Sequence, residues 1–330
     1  MNLSRTIFSL KGFDMKRCSI ILIAIVTLSL SSVVISGVEN IKPIGEELHV
    51  VLIPGSGASN GVLTVGRVTP IAHATGHKYY FKEYGKLLTR MKISYSFCLK
   101  KEDKDSRTLV ERSEECVNNI LQTVKKRRIT EKNILLIGHS MGGNIARLVA
   151  SNEELNPYLH SILTISTPHK GTILADYVFE QYYSGEDFET PFYRWIIDTI
   201  DFAPTRRNYI KELTIGRPLD NSTYLPQDVA MANEINYYSI SNYMRGFPSS
   251  LFFLTWKILD DLIVDRGLAS TPYSNLSDGV IPTYAMVYGE HLGTVQADHA
   301  EGLCLGSYQL SPGCNRMMKL LVPVLKRFKD

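Results

Sequence analysis

A serine in a glycine-flanked turn is the residue of this chain whose setting points most directly to chemistry. Residues 138–142 read GHSMG, so that Ser140 stands between Gly138 and Gly142. An apolar, strand-like run precedes the motif, and a helical pattern starting at Asn144 follows it. A sharp strand-to-helix turn exposes a serine hydroxyl, and the helix N-terminus stabilises negative charge that develops beside it. The motif therefore predicts that Ser140 is a nucleophile.

A nucleophilic serine needs a general base, and four histidines follow it in the chain. His160 and His169 flank the predicted strand next to the nucleophile, which leaves no room for an acid-bearing strand before them. His299 lies directly before an apolar C-terminal segment, where the histidine belongs when the acid and the base follow the serine in the chain. We predict that His299 is the base. His291 is the alternative, although its setting is more typical of a polar loop or the surface.

The acid that orients the base is expected at the end of a strand shortly before it. Asp278 lies in the sequence LSDGVIP, where a glycine permits a tight turn and apolar residues surround the carboxylate. Asp260, Asp261 and Asp265 lie on a helical pattern that is typical of a solvated face. Asp298 adjoins the histidine in sequence, so its side chain is expected to point elsewhere. Asp278 is therefore the predicted acid.

Backbone N–H groups must bind the oxyanion that forms during acyl transfer. Met141, the residue after the nucleophile, is expected to supply one of them. The other is expected in the glycine-rich loop at residues 55–58, after the first predicted strand, and we assign it to Ser56. The alternative is that this loop forms only a tight turn.

The elements that must position these residues alternate along the first half of the chain. Apolar patterns predict strands over 47–53, 93–99, 133–138 and 161–166, and amphipathic patterns predict helices over 78–91 and 105–128. Alternating strands and helices are typical of a mostly parallel sheet that is covered by helices on both faces. The predicted fold class is therefore α/β.

Three blocks of sequence resemble the α/β-hydrolase-fold lipases and esterases, and are most similar to the bacterial triacylglycerol lipase group. The blocks are residues 137–143, residues 166–171 (STPHKG), and residues 277–280 together with 298–299. The resemblance implies an α/β-hydrolase fold and ester hydrolysis through an acyl-enzyme, with lipid esters as substrates. It also implies a structural role for His169. Pro54 and Gly55 stand where that group usually carries His-Gly in the oxyanion loop.

The resemblance also bears on cofactors. Some lipases of this group hold a structural calcium ion near the catalytic histidine, with a carboxylate two residues after it. Glu301 occupies that position, and one of the three helical aspartates would supply a second oxygen ligand. The alternative for Glu301 is an ordinary salt bridge or an exposed acid. No redox or nucleotide cofactor is implied.

Residues 177–256 differ in composition from the rest of the chain, because they contain 18 of its 32 aromatic residues. This density predicts a cap or lid insertion over residues 177–276 that includes a core strand near 235–241. Residues 247–256 (FPSSLFFLTW) are the most apolar piece and the candidate for transient contact with a membrane or micelle. A buried cap helix is the alternative.

The charge of the chain lies at its N-terminus. The formal net charge is +3, and four basic residues against one acidic residue within 1–36 account for all of it. Because the rest of the chain is neutral, its charge gives no reason to expect that it binds nucleic acid. The basic stretch precedes an apolar run, a layout that predicts a signal peptide over 1–36 and a secreted or extracytoplasmic hydrolase domain over 37–330. An uncleaved signal anchor is the alternative.

Cysteine usage agrees with export. Four cysteines follow the predicted signal peptide, and of three pairings we favour the local one, Cys98 with Cys116 and Cys304 with Cys314. Asn221 and Asn275 begin sequons that would accept glycans in a eukaryotic source.

Two other functions share these residues. An acyl-thioesterase or acyltransferase would use the same triad with a different acyl donor or acceptor. A catalytically silent hydrolase-fold binding protein belongs to another class, and an intact triad argues against it.

Overall fold

The computed structural model describes nine stretches of the chain. They are residues 48–55, 80–99, 107–129, 132–183, 210–215, 235–245, 252–265, 276–305 and 311–327, all within one unit, Pro43–Asp330. The predicted signal peptide, the sequon residues Asn221 and Asn275, and Ser56 lie outside these stretches, as does most of the predicted cap.

Six parallel strands form one sheet within the described residues. They are β1 (His49–Ile53), β2 (Ser94–Phe97), β3 (Ile134–His139), β4 (Leu159–Ile165), β5 (Asn236–Tyr243) and β6 (Glu290–Gln296). Their order across the sheet is β2-β1-β3-β4-β5-β6, and every neighbouring pair is parallel. The parallel sheet that the alternating pattern predicted is thus confirmed, including a core strand within the aromatic-rich segment.

Helices connect the strands. They are α1 (Lys82–Arg90), α2 (Leu109–Arg127), α3 (Met141–Ala150), α4 (Ile173–Tyr183), α5 (Phe253–Asp265) and α6 (Pro312–Arg327), with short 3₁₀ turns at Thr283–Met286 and Glu301–Leu303. The helix after the serine begins at Met141, three residues before the pattern that starts at Asn144. Glycines at 142 and 143 hide this first turn, because glycine has a low helix propensity. Among the described helices, none combines the length and apolar composition that a membrane-spanning segment requires.

The order of the strands places the site. β1 and β3 are neighbours in the sheet although β2 lies between them in the chain, so the direction in which strands are added reverses there. Such a reversal opens a crevice at the carboxyl ends of the strands, where ligands bind in open α/β sheets. Gly55 follows β1 and Ser140 follows β3, and every residue of both strands is buried. The sheet therefore brings these two loops to one crevice.

The start of α2 combines a local cap with a distant carboxylate. Thr108 and Glu111 form a capping box, in which each side chain accepts a hydrogen bond from the other residue's backbone N–H. The Leu109 N–H donates to Glu212 Oε2 at 2.7 Å. Glu212 is only 7% exposed, and burial raises its pKa from 4.5 to about 7, while its hydrogen bond with Leu109 acts in the opposite direction. Segment 210–215 thus contacts α2 through an acid that titrates near neutral pH.

Glu212→Gln is expected to stabilise the protein above neutral pH. The raised pKa means that the stabilising contribution of this carboxyl is complete below about pH 4.5 and is lost as the pH rises to about 7. Glutamine keeps an acceptor for Leu109 and carries no charge, so the free energy of unfolding at pH 8 should increase by about 1–3 kcal/mol. Urea unfolding at pH 5 and pH 8 measures the difference, which should be much smaller at pH 5. Glu114→Gln, at an exposed position of α2, is the control. A gain at pH 8 no larger than that at pH 5 would contradict the prediction.

Candidate active site

The backbone of Ser140 is held in a strained turn between β3 and α3. Its φ is 55° and its ψ is −134°, a conformation that non-glycine residues rarely adopt. The Ser140 N–H donates to Ile165 O, and the Gly143 N–H donates to Ser140 O, both at 3.0 Å. The end of the neighbouring strand and the first turn of the helix therefore hold the strained residue in place, as a nucleophile elbow requires.

The two glycines that flank the serine are needed for close approach. A side chain at Gly142 would collide with the carbonyl oxygen of Ile53 at the end of β1. A side chain at Gly138 would collide with the backbone of Gly143. Both neighbours are backbone atoms that cannot rotate away, so glycine at these positions lets the elbow pack against the sheet.

The structure brings the predicted acid and the predicted base together. His299 Nδ1–H donates to Asp278 Oδ2 at 2.6 Å, and the His299 backbone N–H donates to Asp278 O at 3.0 Å. Asp278 Oδ1 accepts from the N–H groups of Val280 and Ile281, at 3.0 and 2.9 Å. The Asp278 side chain is fully buried, whereas 11% of the His299 side chain is exposed. Because the carboxylate oxygen only accepts, Nδ1 carries the proton and Nε2 has a free lone pair, the tautomer that a general base needs.

The residue before the serine connects the elbow to the histidine loop. His139 Nε2 contacts His299 O at 3.0 Å, and the centroids of the two imidazole rings are 4.7 Å apart. Since Ser140 is the next residue in the chain, the elbow and the Asp278–His299 pair occupy the same crevice. Sequence reasoning did not assign a role to His139, although its place inside the motif was a usable signal.

The loop after β1 approaches the nucleophile directly. The Gly55 N–H donates to the hydroxyl oxygen of Tyr80 at 3.2 Å, so this N–H already has an acceptor within the protein. A side chain at Gly55 would come within 2.7 Å of Ser140 Cβ. Met141 is buried at the first position of α3, where backbone N–H groups have no acceptor within a helix. Met141 and Ser56, which lies outside the described residues, therefore remain the proposed oxyanion donors.

The alternative base, His291, lies on the exposed face of β6. Its Nε2 contacts Thr294 Oγ1 at 3.2 Å and Ser241 Oγ at 3.3 Å. His291 pairs in register with Ser239 near the amino end of the strand, whereas the crevice lies at the carboxyl ends. Its neighbours are hydroxyl groups and not a carboxylate, so the geometry favours His299 as the base.

The two histidines near β4 have local partners. His169 Nε2 donates to Thr164 Oγ1 at 2.9 Å, and Nδ1 accepts from Arg147 Nη1 at 3.4 Å. Burial and the Arg147 charge lower the pKa of His169 well below its ordinary value, and its ring stacks on Tyr288 at 4.8 Å. His160 Nδ1 lies 2.6 Å from Ser161 Oγ near the start of β4. These contacts support the structural role that the resemblance implied for His169.

The acids near His299 support its loop. Asp298 Oδ1 accepts from the N–H groups of Ala300 and Glu301, at 2.9 and 2.7 Å, so its side chain points away from the histidine ring. The Glu301 carboxylate accepts from the Gly313 N–H at the start of α6 and from the Asp298 N–H. Each oxygen of the Glu301 carboxylate thus accepts one hydrogen bond from a backbone N–H, and a role of Glu301 as a calcium ligand stays a prediction. No group of three or more His, Cys, Asp or Glu within the described stretches is arranged to hold a metal ion.

The two disulfides join the pairs of cysteines that are closest in sequence, as expected. Cys98–Cys116 links the end of β2 to α2, and Cys304–Cys314 links the histidine loop to α6. Two disulfides fit an oxidising, extracytoplasmic compartment.

The apolar segment near α5 divides into a buried and a partly exposed part. Phe252 is 5% exposed, and its ring meets His299 edge-on at 5.8 Å, so the buried alternative applies to this residue. Phe253 and Trp256 are partly exposed and stack on each other at 6.0 Å. Within the described part of this segment, Phe253 and Trp256 therefore remain candidates for contact with a membrane or micelle.

Comparison with known proteins gives three kinds of match. Residues 46–188 match the family described as PGAP1-like alpha/beta domain. A GPI inositol-deacylase of Drosophila melanogaster is 34% identical over 73 residues, which is 22% of this chain and 7% of that protein. Triacylglycerol lipase 2 of Saccharomyces cerevisiae is 28% identical over 182 residues, which is 54% of this chain and 48% of that protein. The chain thus spans at most about half the length of these curated relatives.

The fold is also similar to that of a solved lipase. Bacillus licheniformis lipase BlEst2 in its mature form has a TM-score of 0.58 at 16% identity, covering 86% of this chain and 94% of that one. The propeptide form of the same lipase has a TM-score of 0.54 at 15% identity, covering 86% of this chain and 51% of that one. The chain therefore has the α/β-hydrolase fold, and its resemblance to lipases and esterases is confirmed. Together these similarities support a lipase-like or esterase-like hydrolase.

Proposed function

From this fold and this likeness, we propose that the chain hydrolyses carboxylic esters of lipids through an acyl-enzyme on Ser140. The observation that carries the proposal is the hydrogen bond of 2.6 Å between His299 and the buried Asp278, in the crevice where the strained Ser140 elbow lies. Such a pair supplies a base of the correct tautomer, and such an elbow supplies an exposed hydroxyl.

The first half of the reaction forms the acyl-enzyme. Ser140 Oγ attacks the ester carbonyl carbon while His299 Nε2 takes the hydroxyl proton, and Asp278 stays ionised and stabilises the imidazolium. The N–H groups of Met141 and Ser56 bind the oxyanion of the tetrahedral intermediate. As the intermediate collapses, the bond to the leaving alcohol breaks, and His299 gives its proton to the alcohol oxygen.

The second half of the reaction releases the acid. Water attacks the acyl carbon and gives a proton to His299 Nε2, and the bond between the acyl group and Ser140 Oγ breaks. The proton returns to Ser140 Oγ, so that the free enzyme is restored and the products are one carboxylic acid and one alcohol. No step needs a redox or nucleotide cofactor.

Lipid esters are the proposed substrates because the names of the relatives all specify the removal of an acyl group from a lipid. The name of the yeast relative specifies triacylglycerol, and the names of the inositol-deacylases specify an acyl group on the inositol of a GPI. The match over residues 46–188 favours the second substrate as an additional candidate. An acyl-thioesterase or acyltransferase with the same triad differs only in acyl donor or acceptor. We further propose an extracytoplasmic location, which the two disulfides support.

A substrate panel tests the proposal. Purified protein is assayed on p-nitrophenyl esters, triacylglycerol emulsions, an inositol-acylated GPI and acyl-thioesters, and its labelling by a fluorophosphonate probe is measured. The expected result is ester hydrolysis, with covalent labelling that maps to Ser140. Turnover of thioesters alone would replace the ester proposal by the thioesterase. No labelling and no turnover would leave a binding protein with a silent hydrolase fold.

Phe253→Ser and Phe252→Ser are expected to separate surface contact from site packing. Phe253 is partly exposed beside Trp256, so its loss should lower the rate on emulsified triacylglycerol by about tenfold, equivalent to about 1.4 kcal/mol of binding, and spare p-nitrophenyl acetate. Phe252 packs against His299, so its loss should lower both rates alike. Parallel assays on the two substrates measure the split. Equal losses in the Phe253 variant would reject the interfacial role.

A further inference from the structure

We infer that Tyr80 and His139 form a hydrogen-bond relay that positions the catalytic histidine and the oxyanion loop together. The inference rests on the proposed function and deepens it, because it assigns positioning roles to two buried side chains that do not themselves react.

The relay consists of three consecutive hydrogen bonds. The Gly55 N–H donates to Tyr80 Oη at 3.2 Å. Tyr80 Oη lies 2.6 Å from His139 Nδ1. His139 Nε2 lies 3.0 Å from the carbonyl oxygen of His299. The path thus begins in the loop after β1, passes through the residue before the nucleophile, and ends on the backbone of the catalytic base.

The directions of the protons follow from the partners. A carbonyl oxygen only accepts, so His139 Nε2 must carry a hydrogen. A neutral imidazole then has an acceptor at Nδ1, and the Tyr80 hydroxyl must donate to it. The hydroxyl oxygen keeps a lone pair for the Gly55 N–H. The Tyr80 hydroxyl thus donates one hydrogen bond and accepts one, as does the His139 ring, so one tautomer of His139 satisfies all three hydrogen bonds.

The path requires that His139 stay neutral. Burial and the nearby His299 lower the pKa of His139 well below its ordinary value, and burial raises the pKa of Tyr80 above its own. This suits catalysis, because His299 becomes an imidazolium during turnover and its ring centroid is 4.7 Å from that of His139. A second cation at that distance would oppose the proton transfer.

The relay joins parts of the chain that must keep a fixed separation. Gly55 lies so close to the elbow that an added Cβ would be 2.7 Å from Ser140 Cβ and 2.8 Å from Tyr80 Oη. The loop that continues from Gly55 carries the proposed donor Ser56, and the last hydrogen bond holds the backbone of His299. Displacement of either loop by about 1 Å would misplace a reacting group, which can cost about 100-fold in rate.

Tyr80→Phe removes only the hydroxyl, and Ser113→Ala is the control for the loss of a buried hydroxyl. Ser113 is 7% exposed, and its hydroxyl donates to Val110 O at 2.7 Å within α2, so it holds neither the loop after β1 nor the histidine loop. We expect kcat/KM to fall about 10- to 100-fold in Tyr80→Phe, mainly through kcat, and by less than about threefold in Ser113→Ala. Circular dichroism and the Tm are measured for both. Equal losses at a similar Tm would attribute the effect to any buried hydroxyl and overturn the relay.

A double-mutant cycle tests whether the two side chains act as one path. His139→Gln keeps an N–H that can reach His299 O, whereas His139→Leu has no polar atom there, so the glutamine variant should retain more activity. In the Tyr80→Phe background, the fold-loss of kcat/KM caused by His139→Leu should be at least about threefold smaller than the fold-loss that the same substitution causes in the wild type. Independent, multiplicative losses would show that Tyr80 and His139 do not act through each other.

A nitrogen NMR measurement separates this inference from the proposed function. With ¹⁵N-labelled histidine, His139 should appear as a neutral ring protonated at Nε2, and Tyr80→Phe should shift its Nδ1 resonance, whether or not the protein turns over any ester. If the tautomer is as expected but the wild type neither labels with fluorophosphonate nor hydrolyses esters, the proposed function fails and the hydrogen-bond path stands. If the wild type is active and His139 is protonated at Nδ1, the relay is wrong.

Discussion

Ser140→Ala is expected to lower the turnover of ester substrates by about 10³- to 10⁶-fold, the range seen when a triad nucleophile is removed. The loss arises because no other group at the elbow can form the acyl-enzyme. The fold should persist, since Ser140 is only partly buried and its φ and ψ are imposed by backbone hydrogen bonds. Initial rates on a p-nitrophenyl ester and labelling by a fluorophosphonate measure the effect.

Ser151→Ala is the matched control for this change. Ser151 ends the same helix, α3, and its hydroxyl donates to the Leu148 carbonyl at 2.7 Å. Its loss removes one serine hydroxyl at the opposite end of the helix, so the rate should stay near that of the wild type. Retention of more than a few per cent of the wild-type rate in Ser140→Ala would reject the assignment of the nucleophile.

His299→Gln is expected to lower kcat by about 10³- to 10⁶-fold and to abolish fluorophosphonate labelling at the same time. Glutamine cannot accept and return the serine proton, and the buried Asp278 Oδ2 loses its 2.6 Å partner. Both readouts need an activated Ser140, so they should fall together. Stopped-flow acylation and probe labelling are the measurements.

His291→Gln provides the comparison for the histidine. Its ring contacts Ser241 and Thr294 on the exposed face of β6, so its replacement should change kcat by less than about threefold if the ring takes no part in proton transfer. A large loss in His291→Gln together with a mild effect in His299→Gln would move the role of the base to His291.

Local patterns in the sequence were enough to predict the nucleophile and the sheet. An apolar run followed by GHSMG specifies a buried strand and a turn that needs glycine, because both requirements act within a few residues. The position of β5 within the aromatic-rich segment was predicted to within two residues for the same reason. Chain order narrowed the acid and the base to Asp278 and His299, and the structure places these two side chains in contact.

Contacts between distant residues were beyond the reach of the sequence. Tyr80 belongs to no motif, and it reaches His139 only because the segment before α1 packs against the carboxyl ends of β1 and β3. The sequence placed Phe252 in an apolar segment that was a candidate for membrane or micelle contact, whereas its ring packs against His299. Glu301 fitted a calcium pattern by its spacing from His299, and only the fold shows that its carboxylate accepts a hydrogen bond from the Gly313 N–H.

The difference between the features that the sequence predicted and those that it could not predict has a physical cause. Strand and helix periodicity, turn glycines and the elbow depend on neighbours along the chain, so the sequence by itself determined the α/β class and predicted Ser140 as the nucleophile, followed in the chain by Asp278 and His299. Burial, tautomers and hydrogen-bond paths depend on which surfaces meet after the sheet forms. Only the tertiary structure therefore decided that His139 faces the backbone of His299, that Tyr80 connects it to Gly55, and that Asp278 is fully buried beside its histidine.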